Sequence, residues 1–329
     1  ETNSLTGQPS FDLSKVQMLR ELKVGSNLLN GQIDITVGDN NDITEISLSR
    51  NSITGVIPSV IGELESLEFL FLHENALIGE LPSFGTVRSL KELQLFKNNL
   101  SGPIPEDVFA NTDLEVLRLD DNRFTGSLST NIGNLKALVD LRLMANELTG
   151  NIPVSLSGLS DLVILQLNNN TLNGTIRDSF NDWGTLDFID LSENDLTGSL
   201  PSTLFSIESL RIVYLDRNRL DGKIPGSYGT SSVLEDLYLF DNMLTGMIPP
   251  IQPGQLPALK EILLFTNELT GEVPQSLCNN RDDLNGNIED LWVDCTVING
   301  TAEIACSAQC CNRCFPTDDP IIIGGVQIP

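Results

Sequence analysis

The sequence predicts an α/β repeat solenoid whose parallel β-sheet takes one short strand from each repeat. Three observations predict it. Asparagine recurs at a nearly fixed interval, glycine follows four residues after each of those asparagines, and apolar residues precede them at constant spacing. A fixed period of this length indicates stacked repeats that share one continuous core. The usual expectation of about two globular domains for a chain of 329 residues is therefore set aside.

The asparagines set the register of the repeat. Successive members are 24 residues apart, except for one interval of 23 and one of 25. They are Asn3, Asn27, Asn51, Asn75, Asn98, Asn122, Asn146, Asn170, Asn194, Asn218, Asn242 and Asn267. We number each repeat from its asparagine as position zero, so that −2 lies two residues before it and +4 lies four residues after it.

Apolar residues before each asparagine predict the strand. Positions −8, −5 and −3 are apolar, as in Leu138, Leu141 and Leu143 before Asn146. Positions −5 and −3 alternate with outward positions, which is the periodicity of a strand with one buried face. We therefore expect neighbouring repeats to pair as parallel strands about 4.8 Å apart, with positions −6, −4 and −2 facing outward.

Glycine and proline after each asparagine predict the turn that leaves the strand. Glycine occupies position +4 in all twelve repeats, from Gly7 to Gly271, and suits a turn with positive φ. A proline that blocks helix usually follows. Where Asp34, Ser129 or Arg177 replaces it, we expect a looser but intact turn. The asparagine side chain is expected to satisfy backbone N–H and C=O groups at the turn, because an amide both donates and accepts.

The combined pattern Leu-x-x-Leu-x-Leu-x-x-Asn-x-Leu-x-Gly-x-Ile-Pro resembles the leucine-rich repeat (LRR). Its 24-residue form is that of plant receptor-kinase ectodomains and of plant inhibitors of microbial polygalacturonases. The match covers residues 1–275. The resemblance implies a right-handed superhelix with the parallel sheet on its concave face, a second small sheet near the Leu-x-Gly-x-Ile-Pro segment, and a receptor-like or secreted recognition role.

Residues 276–329 depart from the repeat and are predicted to form a disulfide-stapled C-terminal cap and tail. All six cysteines lie there: Cys278, Cys295, Cys306, Cys310, Cys311 and Cys314. An even number of cysteines in one terminal segment predicts disulfides and an oxidising compartment, with the pairing left open. Zinc is the weaker alternative, because the single histidine is distant and the paired CxxC spacing is absent. The cysteine cluster also resembles the C-terminal caps of secreted diatom LRR proteins.

Charge and terminal segments favour a secreted protein or the extracellular side of the cell surface. The 45 acidic and 19 basic residues give a net charge of −26, which argues against nucleic acids and anionic membranes as partners. No apolar run reaches the about 18 residues that span a bilayer. The chain opens within a repeat, so we expect its N-terminus to be cut from something longer. Four sequons predict N-glycosylation, at Asn99, Asn169, Asn173 and Asn299.

The sequence predicts a protein that is not an enzyme and that holds neither cofactor nor metal. No P-loop, His-Glu-x-x-His or Gly-x-Ser-x-Gly motif occurs, and His73 is the single histidine. Acid pairs such as Asp120 and Asp121 are explained more simply as solvated surface than as glycosidase carboxylates. The segment from Asp283 begins like an EF-hand loop but has Ile288 where glycine is required. Ice binding is set aside because threonine at position +3 is interrupted.

The outward strand positions carry the candidate binding residues. The larger aromatic group, expected to form one solvent-facing patch, comprises Phe188, Tyr214, Tyr238, Phe240 and Phe265, flanked by Ile212 and Leu263. A smaller group comprises Phe69, Phe71, His73 and Phe96. Exposed patches usually mark interaction sites, and the alternatives are self-packing or cover by the cap or by a second copy of the chain. Arg118 and Arg142 could clamp a carboxylate or sulfate, or could pair with Asp120 and Asp140.

These positions favour a recognition module that binds a peptide, protein or glycan through the concave face. One alternative is a structural or adhesive component of an extracellular matrix, which predicts self-association. Another is an inhibitor of a secreted glycosidase, which rests on family analogy alone. The patch predicts that Tyr214→Ala with Tyr238→Ala weakens partner binding while the melting curve stays nearly unchanged.

Overall fold

The computed structural model describes most of the chain and divides it into two compact units. The described residues are 3–16, 18–38, 42–178, 183–280, 287–294, 297–298, 301–302, 304–305, 310, 313–315, 321–323 and 326–328. The first unit comprises residues 1–173 with 182–186, and the second comprises residues 174–181 with 187–329. The boundary predicted between repeats and cap, after residue 275, falls inside the second unit and stays a prediction.

Each repeat contributes a primary strand of three residues at positions −6 to −4. In the first unit these are Glu21–Lys23, Glu45–Ser47, Phe69–Phe71, Glu92–Gln94, Val116–Arg118, Asp140–Arg142 and Ile164–Gln166. In the second they are Phe188–Asp190, Ile212–Tyr214, Asp236–Tyr238 and Glu261–Leu263, followed by Asp290–Asp294 and Arg313–Phe315. Within each unit, neighbouring primary strands pair in parallel and in register. The predicted parallel sheet of one strand per repeat is thereby confirmed.

A secondary strand begins just after most ladder asparagines. These strands are Thr6–Gly7, Leu28–Gln32, Ser52–Gly55, Ala76–Gly79, Asn99–Pro103, Arg123–Ser127, Glu147–Asn151, Thr171–Thr175, Asp195–Ser199, Arg219–Asp221, Thr245–Gly246 and Glu268–Leu269. They also pair in parallel, as Arg123–Ser127 does with Glu147–Asn151. The second sheet that the resemblance implied is therefore present.

Four further strand pairs lie outside these two sets. Ser10–Asp12 pairs in parallel with Asp34–Thr36, and Gly271–Glu272 pairs in parallel with Ile304–Ala305. Val297–Ile298 pairs antiparallel with Thr301–Ala302, and Ile321–Ile323 pairs antiparallel with Val326–Ile328.

In several repeats, short 3₁₀ helices follow the secondary strand. They are Leu13–Lys15, Ser59–Glu63, Glu106–Ala110, Thr130–Asn134, Val154–Gly158, Ser202–Ser206 and Gly226–Thr230, and one α-helical turn spans Gln275–Cys278. Proline precedes five of the 3₁₀ helices, where it supplies the extended backbone of the N-cap. Where Ser129 replaces it, the Ser129 hydroxyl accepts the Asn131 N–H at 3.0 Å and the helix still forms.

The core lies between the two strand sets and the 3₁₀ helices. Leu138, Leu141 and Leu143, at positions −8, −5 and −3, have no exposed surface in the first unit. Val213 and Leu215 are equally buried in the second. The apolar positions read from the sequence therefore form the core of each unit.

The ladder asparagines join consecutive turns as predicted. The Asn146 Nδ2 donates to Leu143 O within its own turn and to Leu119 O of the preceding turn, both at 3.1 Å. Its Oδ1 accepts the Phe124 N–H at 2.9 Å. The same three kinds of bond recur at Asn51 and Asn218. These side chains are structural, because each satisfies backbone groups in two turns.

The turn glycines adopt the predicted left-handed backbone. All twelve glycines at position +4 have φ between 74° and 94°. The residue just before each ladder asparagine also has a positive φ in every repeat from Ser26 to Thr266, although none of these eleven residues is glycine. This second left-handed position could not be predicted from the sequence.

The C-terminal region continues the last repeats and carries a disulfide. Asp294 accepts the backbone N–H groups of Thr266 and Asn267 at 2.8 and 3.1 Å, so a carboxylate takes up donors of the final turn. Cys278 and Cys310 form a disulfide. The predictions for Cys295, Cys306 and Cys311 lie outside the described residues, as does the side chain of Cys314. In the described part of the chain, no helix is long and apolar enough to span a membrane.

Candidate functional site

The candidate site lies on the primary strands of the second unit. Register places like positions of successive repeats side by side: Asp190 beside Tyr214, Tyr214 beside Tyr238, and Tyr238 beside Leu263. Trp292 pairs with Leu263 and so continues position −4. The alternation of buried and outward residues puts these side chains on the outward face. Because the backbone fixes the register, the side chains form rows whose members touch their neighbours.

Aromatic rings make a continuous row across this face, and we call the following set the aromatic row: Phe188, Tyr214, Tyr238, Phe240, Phe265 and Trp292. Tyr214 and Tyr238 stack with ring centroids 4.3 Å apart, and Phe240 and Phe265 stack at 4.6 Å. Phe188 meets Tyr214 edge-on at 5.6 Å. The predicted grouping of aromatic side chains is therefore correct, and Trp292 extends it.

The expectation that the whole group faces solvent is wrong. Phe240, Leu263 and Phe265 are only 3%, 2% and 1% exposed. The physical reason is self-packing: they form a cluster with Trp292, and Tyr238 packs against that cluster. The members of the aromatic row that keep solvent-accessible surface are Phe188, Tyr214 and Tyr238, which are half-buried.

Trp292 is the member of the row that sequence reasoning missed. The segment from Leu284 to Cys295 echoes the repeat spacing, and aligning it with the preceding repeat would have placed Trp292 at position −4. The alignment was not evident because no ladder asparagine follows Trp292 at the expected spacing, so the segment departs from the LRR pattern.

Carboxylates hold the hydroxyl groups of the two stacked tyrosines. The Tyr214 hydroxyl donates to Asp236 Oδ2 at 3.5 Å, and the Tyr238 hydroxyl donates to Glu261 Oε2. Burial raises the pKa of Tyr214 to about 12 and also raises the pKa of Tyr238. Both phenols therefore stay protonated at neutral pH, and their rings are held in place on the strand face.

Two buried carboxyl groups lie near Tyr214: Asp190 is beside it on the neighbouring strand, and Asp216 follows it by two residues. Asp190 and Asp216 are 7% and 5% exposed. Ser192 donates to Asp190 Oδ1 from its backbone N–H and its hydroxyl, at 3.0 and 2.7 Å. Burial raises the pKa of Asp190 to about 6, and burial together with the nearby Asp190 charge raises the pKa of Asp216 to about 7. No role could be predicted for either residue from the sequence, because their burial depends on side chains of neighbouring strands.

The smaller aromatic group lies on the first unit, and its rings also contact one another. Phe69 and Phe71 are half-buried, with ring centroids 6.2 Å apart. Phe96 is buried because His73 stacks on it at 4.3 Å and the Arg118 guanidinium lies 4.1 Å from its ring centroid. Burial lowers the pKa of His73 to about 4, so this histidine is neutral at physiological pH.

The two candidate anion-binding arginines are adjacent and already paired. Register places Arg118 beside Arg142. Arg118 Nε lies 3.4 Å from Asp120, and Arg142 Nε lies 2.8 Å from Asp140. The pairing alternative therefore describes their state in this structure. Binding of a carboxylate or sulfate there stays a prediction.

Three of the four predicted glycosylation sites can be placed. Asn99, Asn169 and Asn173 are exposed, so each side-chain amide is accessible for modification. Asn299 lies outside the described residues. Exposure is compatible with glycosylation and leaves it a prediction.

Family models identify the repeats. A model described as "Leucine rich repeat" matches residues 160–220, and a second with the same description matches residues 42–64, 89–110 and 113–135. Among curated proteins, no sequence matches this chain. The chain is a leucine-rich repeat protein, as its repeat pattern and parallel strand sheets also indicate.

Several solved structures that this chain resembles are plant receptor ectodomains. The LRR ectodomain of the Arabidopsis receptor kinase HAESA, in complex with an N-terminally extended IDA peptide hormone, is similar with a TM-score of 0.82 and 27% identity. The comparison covers 93% of this chain and 57% of that one. The plant peptide hormone receptor RGFR1 in complex with RGF2 has a TM-score of 0.73 and 26% identity, covering 84% and 56%. This chain resembles such ectodomains and spans just over half of their length.

A plant ice-binding protein shares the fold more distantly. Its TM-score is 0.57 at 27% identity, covering 80% of this chain and 81% of that one. Despite this similarity, the threonines at position +3 of this chain do not form a regular column, because Ile78, Ser101 and Asn173 interrupt them.

Proposed function

We propose that this chain is an extracellular recognition module that binds a peptide through the primary-strand face of its second unit. The observation that carries the proposal is the stacked pair Tyr214 and Tyr238. Both aromatic side chains are half-exposed and are held by hydrogen bonds. Tyr238 also packs against the buried cluster of Phe240, Leu263, Phe265 and Trp292. Rigid tyrosines offer a large contact area at a low entropic cost, so they are frequent anchors in interfaces.

Two further observations support a peptide and an extracellular location. The HAESA and RGFR1 structures are those of plant receptors in complex with peptide hormones. A disulfide joins Cys278 to Cys310, and disulfides persist in oxidising compartments. These likenesses favour a peptide over a glycan as the ligand class.

Selection of binding peptides tests the proposal. The immobilised chain is used to select from a displayed library of random linear dodecapeptides, and the recovered peptides are synthesised with a fluorescent label. We expect the double variant Tyr214→Leu/Tyr238→Leu to weaken their binding at least tenfold, measured by fluorescence anisotropy. Leucine is preferred to alanine because Tyr238 packs against the buried cluster, and loss of that contact would itself lower the melting temperature.

The matched control uses an aromatic pair at outward positions of one strand in the first unit. Phe69→Leu/Phe71→Leu changes two half-buried rings and should leave binding within twofold. Thermal melting of both variants checks that each remains folded. Unchanged binding by the tyrosine variant, or a loss confined to the phenylalanine variant, would remove the second unit's face as the site.

A further inference from the structure

We propose that the ligand of the second unit carries a positively charged side chain, lysine or arginine, which the strand face takes up beside Tyr214 and Tyr238. The inference rests on the proposed function and names the chemistry of the partner. Its basis is an excess of carboxylates on this face for which the described ion pairs supply no cation.

Five consecutive primary strands of the second unit have acids but no bases at their outward positions, and Arg313, in register with Trp292, is the first base beyond them. From Phe188–Asp190 to Asp290–Asp294, positions −6, −4 and −2 include six acidic residues and no lysine or arginine. The acidic residues are Asp190, Asp216, Asp236, Glu261, Asp290 and Asp294. Asp294 accepts backbone N–H groups of the last turn, and its role is structural. The other five lie on or beside the aromatic row.

Four cations of the second unit are engaged elsewhere, and Arg177 and Lys223 lie outside the outward strand positions. Arg211 pairs with Asp187 and Glu235, and Lys260 pairs with Glu235. Arg217 and Arg219 pair with Glu193 and Asp195. None of those acidic partners lies at an outward strand position. The described ion pairs therefore leave Asp190, Asp216, Asp236 and Glu261 without a direct salt bridge.

The first unit supplies an internal comparison. Its outward strand positions include three bases, and each is paired with an acid of the same face. Lys23 binds Glu21 and Glu45 at 2.8 Å, while Arg118 and Arg142 bind Asp120 and Asp140. Four of the five outward acids of the first unit therefore have a described ion pair, the exception being Glu92, whereas the described ion pairs include none for Asp190, Asp216, Asp236 or Glu261. Charge complementarity points to a cation from outside the second unit.

The surroundings of Tyr214 and Tyr238 suit a lysine or arginine in particular. Asp236 and Glu261 each accept one described hydrogen bond, from a tyrosine hydroxyl, and a carboxylate has about four acceptor positions. Asp190 lies on the other side of Tyr214, Asp216 follows Tyr214 by two residues, and both are almost fully buried. A long basic side chain can lay its methylene groups along the tyrosine rings while its charged end meets the half-buried Asp236 and Glu261.

Neutralising the peptide tests the inference. In the selected dodecapeptides whose binding requires Tyr214 and Tyr238, we expect a lysine or arginine. Replacing lysine by acetyl-lysine or arginine by citrulline should weaken binding at least tenfold, because the charge is lost while the aliphatic part of the side chain is kept. The variant Asp236→Asn/Glu261→Gln, which keeps acceptors for the tyrosine hydroxyls, should weaken the basic peptide to a similar extent.

A charge-matched variant separates the site from the overall field of the chain. Glu63→Gln/Glu65→Gln removes two exposed charges from the first unit, away from the primary strands, and should change binding less than twofold. Equal loss in both charge variants would assign the effect to the net charge of −26 and overturn the inference. Tyrosine-dependent peptides that lack basic residues, or that bind equally well when neutralised, would also overturn it while the proposed function stands. If no selected peptide depends on the tyrosines, the proposed function itself fails, and this inference fails with it.

Discussion

The ladder asparagine is the residue on which the repeat depends. At Asn146 a single amide accepts one backbone N–H and donates to carbonyl groups of two turns. This role could be predicted from the sequence, because only a side chain that both donates and accepts meets the requirement. It also explains why the twelve asparagines reveal nothing about a ligand.

Replacing one ladder asparagine by aspartate removes the N–H donors of the amide while keeping an oxygen acceptor. Asn146→Asp keeps the shape but places an ionised acceptor against two carbonyl oxygens, so we expect the free energy of unfolding to fall by about 3 kcal/mol. Urea denaturation monitored by circular dichroism measures it. Asn151→Asp makes the same change at an exposed site and should cost less than about 0.5 kcal/mol. Equal effects at the two sites would contradict the assigned role.

Adjacent strands create properties that neither strand has alone. The sequence located the strands, their register and the outward positions. It could not reveal that Phe240, Leu263 and Phe265 are buried, because that burial arises from stacking with Trp292 across repeats. The left-handed residues before the ladder asparagines were equally hidden, since residues as different as Arg50 and Ala145 adopt that conformation.

The buried carboxyl groups of two neighbouring strands predict a dependence of stability on pH. The pKa of Asp190 is raised to about 6 and that of Asp216 to about 7, mainly by burial, from an ordinary value of 3.8. The folded chain therefore binds more protons than the unfolded chain between these values. Their contribution to stability is present at low pH and is lost as pH rises through the folded-state pKa values, by up to about 1.4 kcal/mol per pH unit for each group.

Thermal melting between about pH 5 and pH 8 measures this dependence. We expect Asp216→Asn to flatten the decline and to raise the melting temperature at pH 8, because the buried charge is gone. Asp221→Asn, an exposed control in the same unit, should keep the slope of the parent chain. A parent stability that rises over this range would contradict the assignment.

At the scale of the whole molecule, one repeat pattern serves two strand faces of different character. In the first unit the bases at outward positions are paired with acids, and in the second the acids surround a half-exposed pair of tyrosines. The repeat register made these positions identifiable from the sequence. The difference in ion pairing between the two faces could not be read from the sequence, because it depends on which charged side chains contact one another in the folded chain.

Site-specific photo-crosslinking tests the central claim most directly. The photoreactive residue p-benzoylphenylalanine is placed either at the position of Phe188, at the accessible end of the aromatic row, or at the position of Phe69 in the first unit. Each chain is then irradiated with a labelled peptide from the selection. The account predicts a crosslink from position 188 and none from position 69. A crosslink from position 69 alone, or from neither position, would contradict it.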